Sequence, residues 1–147
     1  MNAVDPLDPT MRRIAAYFEQ LKPADLARLD AIYTEGARFK DPFNDVAGVA
    51  AIRRVFEHMY TSLDTPRFVV REVIAQGPQC FLGWDFLFRI RRFDRSEQVI
   101  RGGSHLQFAP DGRIVMHRDY WDAAEELYEK LPLVGGLMRW LKRRATQ

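Results

Sequence analysis

The sequence has one cysteine, no long apolar run and almost no excess charge, and each scarcity removes a class of protein. Cys80 has no partner for an internal disulfide, which fits a reducing compartment. No stretch reaches the roughly 20 apolar residues that a membrane span requires. The opening MNAVDPLDPT is acidic and proline-rich, without the basic and apolar regions of a signal peptide. These features predict a soluble, cytoplasmic protein with no stable membrane insertion. A net charge of +2 gives no electrostatic case for a nucleic-acid partner. Neither a glycine-rich phosphate loop nor a His, Cys and carboxylate spacing suited to a metal is found, so no metal and no cofactor are expected.

What remains is an ordinary globular composition, 47% hydrophobic and 29% charged over 147 residues. That length predicts a single domain over residues 1–147, with a core over about 8–122 and a helical tail over 123–147. Asp8-Pro9 reads as a helix start, followed by apolar residues at Met11, Ile14, Ala15, Phe18 and Leu21. Pro23 opens a second helix running toward Ile32 and Tyr33, with Gly36 as its terminator. Ala37–Asp41 reads as a short strand stopped by Pro42, and a third helix spans Val49 to Ser62. Four β-rich runs follow: Arg67–Ala75, Gln79–Arg92, Gln98–Phe108 and Arg113–Trp121. Turn chemistry at Gly77-Pro78, Asp94-Arg95-Ser96 and Pro110-Asp111-Gly112 separates them and implies antiparallel neighbours. The tail is helical from Asp122, with a break near Pro132 and Gly135-Gly136. Helices first and a meander after predict an α+β fold.

The Gln79–Arg92 run is apolar on both faces through its middle. A strand of that kind is covered on both sides. Helices cover one, and the other predicts a homodimer through the sheet. Strand parity also places acids and hydroxyls among apolar residues. Asp85 alternates with Phe81, Gly83 and Leu87, and Ser104 with Ile100, Gly102 and Leu106. His117, Asp119 and Trp121 share one face of the last run, and Asp41 follows Phe39. An apolar pocket with a few convergent polar groups is the general form of a small-molecule site. The alternatives are a plain Asp-Pro turn at Asp41, structural ion pairs for Asp85 and Asp119, and a packed His117. Gly102-Gly103 inside a strand marks a bulge or a close approach.

The segments AAYFEQL, LDAIYTEGARFKDPF, GVAAIRRVF and GRIVMHRDYWD resemble the NTF2-like, or SnoaL-like, superfamily over Met11 to Asp122. The resemblance implies a cone in which a curved antiparallel sheet wraps three N-terminal helices. Within it, Tyr17 and Asp41 look like the oxyanion tyrosine and proton-shuttling aspartate of ketosteroid isomerase. Tyr33 is similar to a supporting tyrosine and Trp121 to an aromatic lining residue. Ser104 stands where that family has a protonated aspartate, and Phe56 replaces a network tyrosine. HRDYWD resembles the last strand of limonene-epoxide hydrolase, placing Asp119 on its catalytic aspartate and Asp85 on the second. There Gly83 stands for the bridging arginine, and Phe39 and Asp41 for the residues that position water.

Together these readings predict a cofactor-independent, isomerase-like enzyme acting on an apolar carbonyl compound. Asp41, Tyr17 and Asp119 are its catalytic candidates, and Ser104, Asp85, Trp121, Tyr33, Phe56 and His117 line its pocket. An epoxide hydrolase and a non-catalytic binding module are the alternatives. LPLVGGLMRWLKRR reads either as a basic amphipathic helix for a membrane surface or partner, or as a cover for the sheet edge or pocket mouth.

Overall fold

The computed structural model describes residues 9–90, 94–126 and 132–146. Asp8 of the expected helix start and the last two residues of the Gln79–Arg92 run lie outside the described residues. Helix α1 (Pro9–Glu19) buries Met11, Ile14, Ala15 and Phe18, the stripe that its spacing predicts. The second helical segment, Pro23–Ala31, is a 3₁₀ helix broken at Arg28 (φ −114°, ψ 25°), which buries Leu26 and Leu29. It ends earlier than expected. Tyr33 already belongs to strand β1 (Tyr33–Lys40), and Gly36 lies within that strand instead of ending a helix. Strand β2 (Asp45–Ala47) was not foreseen, because three residues are too few to show a period. Helix α2 occupies Val49–Ser62, the predicted span.

Strands β3 (Asp64–Gln76), β4 (Gln79–Ile90), β5 (Asp94–Phe108) and β6 (Ile114–Tyr120) form the antiparallel meander. Gly77 (φ 57°) and Gly112 (φ 87°) supply the left-handed backbone that two of its turns need. The sheet order is β2-β1-β6-β5-β4-β3. One pairing departs from the antiparallel expectation: β1 runs parallel to β6. That pairing joins the chain's first long strand to its last, so no tight turn dictates its direction. Register shifts between Val70 and Glu72, Phe88 and Ile90, and Gln107 and Phe108 curve the sheet. The architecture is therefore the expected α+β cone, with an open, mixed six-stranded sheet.

Helix α1 packs on β3, and α2 packs on the 3₁₀ segment, β1 and β3. The concave face of β4 carries Cys80, Leu82, Trp84 and Phe88, all buried. Its convex face carries Phe81, Gly83, Asp85, Leu87 and Arg89, none of them buried. Among the described residues, the tail forms α3 (Ala123–Glu126) and α4 (Pro132–Ala145). Gly135 and Gly136 lie inside α4 and do not break it.

Candidate functional site

Alternation places His117 and Asp119 of β6 on the concave face, and the β5–β6 register sets Ser104 directly opposite Asp119. A chain of hydrogen bonds follows. The Trp84 indole N–H donates to Ser104 Oγ (2.8 Å), and Ser104 Oγ donates to Asp119 Oδ1 (2.5 Å). His117 Nε2 meets the same Oδ1 at 2.7 Å, and His117 Nδ1 meets the Tyr33 hydroxyl at 2.7 Å. An indole N–H can only donate, so the direction of the chain is set at that end. At the other end, burial, then the nearby Asp119 and Tyr17, push the Tyr33 phenol well above its ordinary pKa. Tyr33 therefore keeps its proton, and with His117 Nε2–H directed at the carboxyl group, Nδ1 is the acceptor for the Tyr33 hydroxyl. Rings of Phe18, Tyr33 and Phe39 enclose the imidazole, with centroids 5.5, 6.0 and 4.7 Å away.

Asp119 Oδ1 thus accepts two hydrogen bonds. Asp119 Oδ2 accepts none from the described residues, and no buried side-chain polar atom among them is left without a partner. That oxygen is therefore not fully enclosed, and Asp119 lines a cavity. A space of about 290 Å³ lies between the concave sheet, α2 and the Asp41–Asn44 turn. Phe39, Phe56, Phe68, Trp84, Phe86, Phe88 and Trp121 give it aromatic walls, and Asp119 closes it on the β6 side. A second space of about 20 Å³ adjoins Ser104, His117 and Asp119. That is room for one water molecule, which needs about 10–15 Å³ and polar partners.

Asp41 also lines the larger cavity, but at half-buried depth. Its Oδ1 accepts from the backbone N–H groups of Phe43 (2.8 Å) and Asn44 (2.6 Å), and the Asn44 amide reaches both carboxyl oxygens at 3.0 and 3.1 Å. The expected buried acid is the centre of its own turn. Phe56, Trp121, Ser104 and His117 all line one space or the other. Tyr33 supports His117 from behind. Tyr17 is absent from both walls. Its hydroxyl donates a long bond (3.5 Å) to the Asp25 carbonyl, and burial, then the charge of Asp25, push its pKa up to about 12.

Asp85 corrects the expectation more sharply. It points from the convex face and pairs with Arg71 (3.0 Å), so it cannot join Asp119. The parity of β4 was readable, but its inner face is the uninterrupted apolar one, Cys80 to Ile90, and not the one that carries Gly83 and Asp85. Sequence reasoning also missed Trp84 as the donor behind Ser104, and Asn44, His58 and Ser62 as polar wall residues. Among the described residues, no three His, Cys, Asp or Glu side chains are grouped to hold a metal ion.

The SnoaL-like domain model matches residues 14–117, most of the chain. The chain belongs to the SnoaL-like family. Several solved structures share the fold. A candidate SnoaL-like polyketide cyclase from Jannaschia sp. CCS1 superposes with a TM-score of 0.71 at 12% identity, covering 85% of this chain and 94% of that one. An LEH-like epoxide hydrolase from M. tuberculosis gives 0.65 at 17%, covering 80% and 85%. A protein with a ketosteroid isomerase-like fold from Catenulispora acidiphila, solved with trimethylamine, gives 0.67 at 12%, covering 81% and 89%. At these identities the likeness speaks for the fold alone. Comparison with curated proteins found no match. The SnoaL-like fold is a small-molecule-binding one, and the aromatic cavity here lies on the concave side of the sheet.

Proposed function

We propose that this SnoaL-like protein is a cofactor-independent enzyme in which Asp119 takes and returns a proton on an apolar, oxygen-bearing substrate. The observation that carries the reading is the divided carboxyl group of Asp119. Oδ1 is held by Ser104 and His117, Oδ2 accepts no hydrogen bond from the described residues, and Asp119 lines the aromatic cavity. A general base must be held within reach of the proton it removes, and its orientation here is set by two donors. Asp41, the base implied by the ketosteroid isomerase resemblance, has its oxygens occupied by Phe43 and Asn44, and Tyr17 is not in the cavity wall.

2-Tetralone in D₂O provides the test, because its α-hydrogens exchange through an enolate that NMR reads directly. Wild-type protein is expected to accelerate exchange over buffer. Asp119→Asn is expected to lower that rate about a hundredfold or more, while Asp41→Asn stays within a few-fold. Exchange that survives in Asp119→Asn sinks the reading. Hydrolysis is the second reading, and the water-sized space beside Asp119 favours it. Its mark is diol formed from limonene oxide with oxygen from solvent, with Asp119 acting without Asp85.

We also infer a homodimer through the convex sheet face. Ile74, Phe81 and Tyr120 are exposed there, an arrangement suited to burial against a second copy. Native mass spectrometry is expected to show a dimer for wild type and a monomer for Ile74→Asp.

A further inference from the structure

Helix α4 does not do what a covering helix does. Among the described residues it packs against α3, and no strand or N-terminal helix makes an extensive contact with it. None of its described residues lines the cavity. Leu137, Trp140 and Leu141 are 54, 47 and 45% exposed, an unusual cost for three large apolar side chains within five positions. Helical spacing sets Leu137, Trp140 and Leu141 along one face, with Arg143 at its flank and Arg139 farther round. Arg144 falls at the end of the apolar face, where its guanidinium lies over the Trp140 ring, 5.3 Å from the centroid. The helix holds four cations and no acid, against a net charge of +2 for the whole chain.

We propose that α4 docks this protein on the surface of an anionic lipid bilayer. A stripe of Leu and Trp flanked by exposed Arg matches a helix lying in the interface plane, with apolar groups at the acyl boundary and cations among the headgroups. Arg144 lies on the apolar face and the helix has no acid to pair with it, so two copies packed through that face would bury a cation, and a second α4 is the poorer occupant. A polyanion without an apolar layer would leave Leu137 and Leu141 in water. No described helix is long and apolar enough to cross a membrane, so the contact is peripheral.

The test is co-sedimentation of the full chain with phosphatidylcholine vesicles that contain or lack phosphatidylglycerol, alongside native mass spectrometry without lipid. Binding to the anionic vesicles is expected to exceed binding to pure phosphatidylcholine about tenfold or more, and to weaken in high salt. Leu137→Glu and the double variant R143E/R144E should each abolish it at unchanged thermal stability. Equal binding to both vesicle types, or none to either, overturns the proposal. Binding that Leu137→Glu leaves intact points to a plain polyanion site and also overturns it. So does an oligomer that Leu137→Glu dissociates, which would assign the stripe to a second copy.

Discussion

Ser104 and Asp119 face each other across β5 and β6, and the serine hydroxyl donates to Asp119 Oδ1 at 2.5 Å while accepting from Trp84. Serine was expected as a substitute for an oxyanion donor. It serves instead as a link between an indole and a carboxyl group. Its proton is committed to Asp119, so it has none to offer a substrate oxygen. The same bond, with that from His117, leaves Asp119 one oxygen that accepts nothing from the described residues, and the proposed base role rests on that orientation.

Tyr33→Phe removes the outermost donor of the chain and leaves His117 Nδ1 unpaired in a buried setting. The expected cost is about 1–3 kcal/mol in urea unfolding. Nitrogen-15 NMR of the imidazole should also change. In wild type Nδ1 accepts from the Tyr33 hydroxyl, and the variant loses that bond while Nε2–H stays on Asp119, so the Nδ1 resonance moves. Unchanged imidazole shifts would contradict the assigned direction of the chain.

Asp41 separates a turn residue from a base. Asp41→Ala strips four hydrogen bonds from the Asp41–Asn44 turn and is expected to cost about 1–3 kcal/mol. Asp41→Asn keeps an acceptor for the backbone N–H groups and should cost under about 1 kcal/mol. Chemical denaturation of both variants checks the order. A larger loss from Asn than from Ala would show that the turn bonds are not what Asp41 contributes.

Gly102 is a place of close approach, as its position inside a strand suggests. A Cβ there would lie 2.7 Å from the Trp84 ring, 2.9 Å from the Tyr120 carbonyl and 3.0 Å from Trp121 Cβ. The backbone carbonyl cannot give way as a side chain can. Gly102→Ala is therefore expected to cost about 1–3 kcal/mol and to disturb the indole that holds Ser104. A shift in the thermal unfolding midpoint and in tryptophan fluorescence reads both effects.

Alkaline pH should weaken the fold. Burial raises the Cys80 thiol from 9.0 to about 11, and burial with the charge of Asp25 raises the Tyr17 and Tyr60 phenols from 10.0 to about 12. In the unfolded chain these groups lose their protons first. Between pH 9 and 12 the folded state therefore binds more protons, and stability falls as pH rises. The contribution is complete below pH 9 and gone once pH passes the folded values. Urea midpoints measured from neutral pH to pH 11 are expected to decline from about 9 upward, and a flat profile would contradict the burial of these groups.

The sequence by itself determined the local elements and the meander. Helical spacing located α1 and α2, and turn residues such as Gly77-Pro78 and Pro110-Gly112 separated the strands. These signals are written within a few residues of where they act. The parallel β1–β6 pairing, the choice of the concave face of β4 and the exposure of α4 were decided only by tertiary structure. A period of two says that residues alternate, but not which set turns inward, and so Asp85 was sorted to the wrong side. The site depends on the same long reach. Tyr33 and His117 stand 84 positions apart, and Trp84 and Ser104 stand 20 apart. Their hydrogen bonds exist because sheet register brings them together, and register is a property of the folded sheet that no short segment encodes.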